Sequence, residues 1–277
     1  PAWADAPNKE WQQSRMEVYA AMVDNMDQNV GRILNALRAT GQEQNTLILF
    51  LADNGGCAEE IGVNWQGLHI PEKTWDGNPV RRGNLPSVRP GPGETYQSYG
   101  RPWANASNTP FRLYKHWVHE GGIASPLIAR WPGQAKAGAI THEPGHLIDL
   151  MATCADVAGA RYPRTREGEQ ITPMEGASLK PAFTGKRVSR KSPLCWEHEG
   201  NKAVREGRWK LVSNHPGSWE LYDIEADRTE MNDLASLQPE RVRRMAARWE
   251  SWAARTGVES WEKVQKLPRT PAPLPPG

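Results

Sequence analysis

The fold class follows from one segment, Thr46-Leu47-Ile48-Leu49-Phe50-Leu51-Ala52-Asp53-Asn54-Gly55-Gly56. Its first six residues are apolar and partly β-branched, which is typical of a strand buried on both faces of a parallel sheet. The run ends at two side chains with oxygen ligands, followed by glycines. Because ligand sites in open α/β sheets lie beyond the carboxyl ends of strands, we expect Asp53 and Asn54 to serve function.

The residues before this strand predict a helix. Apolar side chains recur at three- and four-residue steps over residues 10–39, which indicates one long amphipathic helix. The apolar stripe consists of Met16, Tyr19, Val23, Met26, Val30, Ile33, Leu34 and Leu37. Gly41 stands where a C-terminal cap is expected. A helix followed by a buried strand predicts a doubly wound α/β unit.

The residues after this strand alternate between loops and short elements. Proline and glycine interrupt residues 62–108, and we favour an ordered wall of a substrate pocket there, with disorder as the alternative. A second strand is predicted at residues 125–130 and a short helix at residues 146–158.

The pattern changes in the last third of the chain. Short strand candidates at 194–197, 202–205, 209–212 and 219–224 are separated by turn sequences, which predicts an antiparallel meander. A helix over residues 239–255 follows, and the proline-rich residues 268–277 are expected to be extended. We therefore predict two domains, an α/β part over 1–185 and a small antiparallel-sheet domain with a helix over 186–277.

Composition excludes several classes of function. The net charge of +2 gives no general reason to expect binding to nucleic acid or anionic membranes. No apolar run approaches the ~18 residues of a membrane span. The three cysteines lack CxxC spacing, so neither a zinc site nor a disulfide framework is expected. The sequence opens without Met and without a signal peptide, so we expect it to be cut from a longer protein.

Two clusters carry candidate chemistry. Asp53 and Asn54 offer a carboxylate and an amide oxygen, which are ligands for calcium or magnesium, although Asp-Asn-Gly is also a common turn sequence. The second cluster is Lys115-His116-Trp117-Val118-His119-Glu120-Gly121-Gly122. A lysine at a pocket edge holds an oxyanion as a point charge. His116 and His119 have side chains suited to acid, base, metal-ligand or structural roles.

Four segments in this order resemble segments of the sulfatase family, arylsulfatase type. They are Tyr19-Ala20-Ala21-Met22-Val23-Asp24-Asn25-Met26-Asp27, the strand ending at Asp53-Asn54-Gly55, Lys115 with Glu120-Gly121-Gly122 and Trp131-Pro132-Gly133, and His146-Leu147-Ile148-Asp149-Leu150. The C-terminal Trp209-Lys210-Leu211 and Trp219-Glu220-Leu221-Tyr222-Asp223 are also similar to the end of that family. The resemblance covers nearly the whole chain and corresponds to the C-terminal part of the family.

The resemblance implies a fold and an activity. The fold is an alkaline-phosphatase-like α/β core, with a mixed or parallel sheet flanked by helices, followed by a small α+β domain. The activity is hydrolysis of sulfuric esters on small molecules or sulfated glycans, with calcium, or magnesium, and a formylglycine nucleophile. Asp53 and Asn54 correspond to metal ligands, and Lys115 to the catalytic lysine that contacts sulfate. His119 and His116 are further substrate-binding candidates, and a periplasmic or secreted location is expected.

The chain departs from the family pattern at the nucleophile. No Cys/Ser-x-Pro/Ala-x-Arg motif precedes Asp53, and the one match, at Ser251, lies on a predicted amphipathic helix and is rejected as chance. We therefore expect this chain alone to be inactive. Two alternatives stay open, which are a phosphodiesterase or phosphonate hydrolase of the same superfamily and a non-catalytic anion-binding remnant.

Overall fold

A computed structural model describes residues 2–65 and 70–267, which group into two compact units. Unit 1 is Pro1–Thr109 with Ala124–Arg190, and unit 2 is Pro110–Ile123 with Lys191–Gly277. The domain division expected at residues 185 and 186 stays a prediction. The structure adds that Pro110–Ile123, which contains the lysine–histidine cluster, is grouped with the C-terminal residues. The expected extended tail over residues 268–277 lies outside the described residues.

The long helix of unit 1 is confirmed. Helix α1 spans Lys9–Ala39, and Gly41 adopts a left-handed φ of 68° just beyond its end. The Gly41 N–H donates to the Arg38 carbonyl at 3.0 Å, and the Gln42 N–H donates to the Leu37 carbonyl at 2.9 Å. This pair of hydrogen bonds is the Schellman arrangement, so the glycine ends the helix by the expected mechanism.

The apolar stripe of α1 is largely exposed. Tyr19, Val23, Met26 and Ile33 have relative exposures of 37%, 40%, 47% and 64%. The residue of α1 that is buried is Arg15. The stripe therefore predicted the helix correctly, while among the described residues it does not form a core.

Arg15 organises the long segment that follows strand β1 (Ile48–Leu51). Its Nε donates to the Ser98 carbonyl at 2.6 Å, and its Nη2 lies 3.1 Å from Oε2 of Glu60. Burial lowers the pKa of Arg15, and the Glu60 carboxylate opposes that effect. The regular elements of this segment are β2 (Arg81–Arg82), parallel to β3 (Thr95–Tyr96), and α2 (Gly100–Asn108). Its described residues are thus fixed by polar contacts, while 66–69 lie outside the description.

Two predicted strands of unit 1 are found, with a different pairing from the one expected. Strand β1 (Ile48–Leu51) pairs antiparallel with β4 (Leu127–Arg130). Within the described residues these two strands form a two-stranded sheet, so the expected burial within a parallel sheet is wrong here. Phe50 and Ile128 are both exposed, so neither strand is covered on both faces. An apolar run encodes a strand but not the direction of its neighbour.

The remaining elements of unit 1 are short. They are β5 (Thr165–Arg166) paired antiparallel with β6 (Glu169–Gln170), α4 (Ile148–Val157) and α5 (Lys180–Phe183). Helix α4 confirms the helix predicted at 146–158. Asp149 of α4 is fully buried, and it accepts hydrogen bonds from Arg190 Nη1 at 2.9 Å and from the Ala177 N–H at 2.8 Å. This ion pair ties α4 to the end of unit 1.

Unit 2 contains the predicted meander. Its four strands form one antiparallel sheet in the order β10-β9-β8-β7. The strands are β7 (Leu194–His198), β8 (Asn201–Glu206), β9 (Trp209–Ser213) and β10 (Glu220–Asp223). The helices are α3 (Glu120–Ile123), α6 (Pro239–Thr256) and α7 (Trp261–Val264). Sheet and C-terminal helix therefore agree with the sequence prediction.

Both faces of this sheet are covered. On one face, Met245 of α6 packs with Val204, Leu211 and Leu221. On the other, Val118 packs with a second cluster that also contains Ala203, Val212, Tyr222 and Ile224. Successive strand residues point to opposite faces, so neighbouring positions enter different clusters. The segment before α3 thus belongs to the core of unit 2.

Within the described residues, Cys57, Cys154 and Cys195 are not joined by a disulfide. Across residues 2–65 and 70–267, none of the helices combines the length and apolar character needed to cross a bilayer.

Candidate functional site

The first candidate residues follow β1 directly. Asp53 is exposed and Asn54 is half-buried, in a bend that continues to Gly55. The Gly56 N–H donates to Oδ1 of Asn108 at 2.8 Å. A Cβ at Gly56 would lie 2.5 Å from the Tyr99 hydroxyl, so a side chain there would displace the Tyr99 ring. The bend is therefore fixed at its far end and presents Asp53 and Asn54 at its near end.

Asp53 and Asn54 fit a hard cation by their donor chemistry. In the part of the chain that the structure describes, neither side chain has a hydrogen-bond or ion-pair partner. Calcium takes about six to eight oxygen ligands and magnesium about six. One carboxylate and one amide oxygen would supply only part of such a shell. They are suitable ligands, and the assignment stays a prediction.

Lys115 lies in a tight turn of unit 2. The Trp117 N–H donates to the Tyr114 carbonyl at 3.1 Å, and the Lys115 side chain is half-buried. Leu113 and His116 on either side have φ values of 67° and 98°, which non-glycine residues seldom adopt. The turn holds Lys115 between two conformationally restricted residues.

The glycine pair after this turn has a steric explanation. A Cβ on Gly121 would collide with the carbonyls of Arg112 and Leu113, and a Cβ on Gly122 would collide with the carbonyl of Trp117. The Gly121 N–H also donates to the Arg112 carbonyl at 3.0 Å. The turn that carries Lys115 therefore packs backbone against backbone on the start of α3.

Glu120 belongs to a buried cluster of charges. Lys210 Nζ, on β9, lies 2.8 Å from Oε1 of Glu120 and 2.9 Å from Oε1 of Glu230. Glu230 Oε2 accepts the backbone N–H of Glu120 at 2.8 Å. Burial opposes ionisation of Glu120, but the Lys210 ammonium outweighs it and lowers the pKa of Glu120. The side chain of Glu120 is held by Lys210, and its backbone N–H is held by Glu230.

His119 is fully buried in unit 2. Its Nε2 lies 3.3 Å from Oε2 of Glu220, which also accepts the Tyr222 hydroxyl at 2.6 Å. The hydrogen bond from His119 lowers the pKa of Glu220 to about 2, with burial opposing and Tyr222 and Arg112 assisting. Burial, with Glu220, raises the pKa of Tyr222. A fully buried imidazole has no exposed atom for a substrate, so these contacts favour a structural role for His119.

His116 belongs to a cluster of potential metal ligands with His198 and Glu199, all within 4.8 Å of one another. Asn201 lies next to this cluster. The Asn201 amide N–H groups face the His198 carbonyl at 3.0 Å, and its Oδ1 accepts the His215 N–H at 3.1 Å. The amide nitrogen therefore also faces His116 Nε2, at 3.3 Å. His116 Nδ1 lies 2.9 Å from Oε2 of Glu199. Both ring nitrogens of His116 therefore face polar protein atoms.

The candidates divide between the units. Asp53 and Asn54 belong to unit 1, while Lys115, His116 and His119 belong to one segment of unit 2. Sequence reasoning missed the groups that hold this segment, namely Lys210, Glu220, Tyr222, Glu230 and Arg112. One usable signal was Lys210 itself, a charge in the apolar strand Trp209–Ser213. Ser251 is exposed on α6, the amphipathic helix that the sequence predicts there.

Family models match most of the chain. The model described as Sulfatase matches residues 3–160, and the model described as N-sulphoglucosamine sulphohydrolase, C-terminal, matches residues 111–248. The first match includes Asp53, Asn54 and Lys115. The second begins next to the first residue of unit 2.

Individual proteins agree with these matches. An uncharacterized sulfatase of Schizosaccharomyces pombe is 31% identical over 258 residues, which is 90% of this chain and 45% of that protein. The arylsulfatase of Klebsiella aerogenes is 32% identical over 180 residues, 65% of this chain and 37% of that protein. The crystal structure of Ps i-CgsB with k-i-k-neocarrahexaose matches with a TM-score of 0.63 and 24% identity, covering 92% of this chain and 49% of that one. The chain spans less than half the length of these relatives.

Proposed function

The chain belongs to the sulfatase family, and from this membership we propose that its protein hydrolyses sulfuric esters of sugars. Asp53 and Asn54 would be ligands of a divalent cation, calcium or magnesium, and Lys115 would contact the sulfate group. The observation that carries the proposal is the family match over residues 3–160, which contains all three side chains. The side-chain oxygens of Asp53 and Asn54, which have no partner among the described residues, support it.

Lys115 would act through its charge. The turn at residues 114–117 presents the Lys115 ammonium group. The backbone of this turn is packed against the glycine pair. A fixed ammonium stabilises negative charge that develops on sulfate and leaving-group oxygens during ester cleavage, and it needs no reorganisation to do so. When bound, a divalent cation would supply Lewis acidity to sulfate oxygens.

The sugar part of the proposal comes from the relatives. The family model that matches residues 111–248 is named after N-sulphoglucosamine sulphohydrolase. The structure of Ps i-CgsB was solved in complex with k-i-k-neocarrahexaose. We therefore propose a sulfated glycan or a smaller sulfated sugar as substrate. A formylglycine nucleophile is not supplied by the pattern of this chain, and we propose that the 277-residue chain alone shows no turnover. Export to the periplasm or medium is also proposed, testable by cell fractionation.

The test compares variants of the full gene product. Lys115→Ala is expected to lower kcat/KM for sulfate release from a sulfated sugar and from an aryl sulfate by about 100-fold or more, as for loss of one stabilising group. Asp53→Ala is expected to weaken calcium binding measured by isothermal titration calorimetry. Ser251→Ala, on α6, is the control and should match the unmodified enzyme.

Three outcomes would contradict the proposal. Unchanged kinetics in Lys115→Ala would remove that residue from the site. Unchanged calcium affinity in Asp53→Ala would remove the metal assignment. Faster release of phosphate or phosphonate products than of sulfate would favour a phosphodiesterase or phosphonate hydrolase instead.

A further inference from the structure

We propose that Lys210 is a positioning residue for Lys115. Its ion pair with Glu120 fixes the start of α3, and the start of α3 fixes the turn that presents the Lys115 ammonium. The inference rests on the proposed function of Lys115 and extends it to a residue on β9, far away in the sequence.

The contact between Lys210 and Glu120 is direct and buried. Lys210 and Glu230 have fully buried side chains, and that of Glu120 is 3% exposed. Lys210 Nζ holds the Glu120 side chain, while the Glu230 carboxylate holds the Glu120 backbone N–H. Glu120 is therefore held through its side-chain Oε1 and its backbone N–H. The two partners, Lys210 and Glu230, lie in or just after the antiparallel sheet of unit 2.

The glycine pair transmits this position to the turn. Gly121 and Gly122 lie directly against the carbonyls of Arg112, Leu113 and Trp117. No flexible side chain separates the two stretches of backbone, so a displacement of Glu120 is passed to the turn. Lys115 stands between the contacted carbonyls.

Further anchors fix the two sides of the turn to unit 2. On the N-terminal side, Arg112 Nη1 donates to the Glu230 carbonyl at 2.9 Å. On the C-terminal side, Trp117 Nε1 donates to Oδ1 of Asn214 at 3.2 Å. Glu230 thus contacts both Arg112 and Glu120, so it serves the same positioning as Lys210.

Stability alone gives no reason for this arrangement. Burying two carboxylates and one ammonium costs desolvation, and well-packed apolar residues of similar volume often stabilise a fold as well or better. An apolar trio would fill the same volume, but it would lack the directional contacts that fix Glu120. We attribute the use of charged side chains at Glu120, Lys210 and Glu230 to the orientation of the turn that carries Lys115.

A double-mutant cycle on catalysis tests the proposal in the full gene product. Lys210→Met is expected to lower kcat for an aryl sulfate by about 100-fold with little change in KM, since a misplacement of about 1 Å costs that much. In a Lys115→Ala background, the same substitution should lower kcat less than about 3-fold. The effects of two substitutions on kcat are not additive when one residue acts through the other. An equal loss in both backgrounds would overturn the proposal.

Two matched variants separate positioning from folding. Glu120→Gln keeps the shape of the side chain and leaves Lys210 paired with Glu230, so it should fold and show the same non-additivity with a smaller loss of kcat. Arg190→Met removes the buried Asp149 ion pair of unit 1. That control should leave kcat per folded molecule unchanged, and a loss like that of Lys210→Met would show a general effect of breaking buried ion pairs and contradict the proposal.

Hydrogen exchange supplies a readout independent of turnover. In Glu120→Gln, amides of residues 112–122 are expected to exchange faster while those of β8 keep their protection. Unchanged exchange in 112–122 would contradict the proposed transmission. If Lys115→Ala has full activity, the proposed function fails instead, and the exchange result still reports whether Lys210 and Glu120 hold the turn.

Discussion

The two units bury their apolar side chains to very different extents. In unit 2, Leu211, Leu221 and Met245 are fully buried between the sheet and α6. In unit 1, Ile33, Ile128 and Ile140 are 64%, 63% and 88% exposed. Unit 1 is instead tied together by polar groups such as Arg15 and Asp149. Apolar periodicity therefore tells which residues form a helix or strand, but not whether the described chain covers them.

The largest effect expected from this difference concerns the core of unit 2. Leu211→Ala should lower the free energy of unfolding by about 2–5 kcal/mol, because it leaves a cavity under α6. Ile33→Ala, on the exposed stripe of α1, should cost less than about 1 kcal/mol. Urea unfolding followed by pulse proteolysis measures both. Equal costs would mean that the α1 stripe is buried in solution and would break the comparison.

An intermediate effect concerns the charges of unit 2. The pKa of Glu220 is lowered from 4.5 to about 2 on folding, so its carboxylate stabilises the fold above pH 4.5. That contribution is lost as the pH falls from 4.5 towards 2. Glu220→Gln should therefore cost about 1–2 kcal/mol at pH 6, allowing for solvent screening, and much less at pH 3. Urea midpoints at the two pH values measure this, and a cost independent of pH would contradict it.

The smallest effect is expected at the surface of unit 2. Lys263 and Glu259 form an exposed pair on neighbouring turns, with Nζ 2.7 Å from Oε1. Lys263→Ala should change the free energy of unfolding by less than about 0.5 kcal/mol, because water already solvates both charges. A loss in urea unfolding comparable to that of Leu211→Ala would show that exposure is a poor guide to stability in this unit.

Local patterns in the sequence identified the longest helices and strands, but not the short elements. Helix α1, strands β1 and β4, and the meander of unit 2 follow from periodicity and turn residues, and Asp53 and Asn54 follow from the end of a strand. The antiparallel pairing of β1 could not be predicted, because side-chain periodicity is the same for either direction.

The contacts around Lys115 could not be predicted either. Lys210 and Glu120 are 90 residues apart in the sequence, and no local pattern encodes that pairing. A lysine in a strand is normally predicted to face solvent, but Lys210 is fully buried. The position of His119 near Lys115 in the sequence predicts substrate contact, but His119 is fully buried as well. Burial of charged groups depends on distant partners.

The glycine pair has a consequence for how the Lys115 turn can diversify. Any side chain at Gly121 or Gly122 would overlap the carbonyls behind it, so these positions resist every exchange. His116, with its φ of 98°, has the backbone geometry of a glycine and its ring at the surface. Natural variation and laboratory libraries should therefore concentrate at His116 rather than at the glycine pair or Lys115.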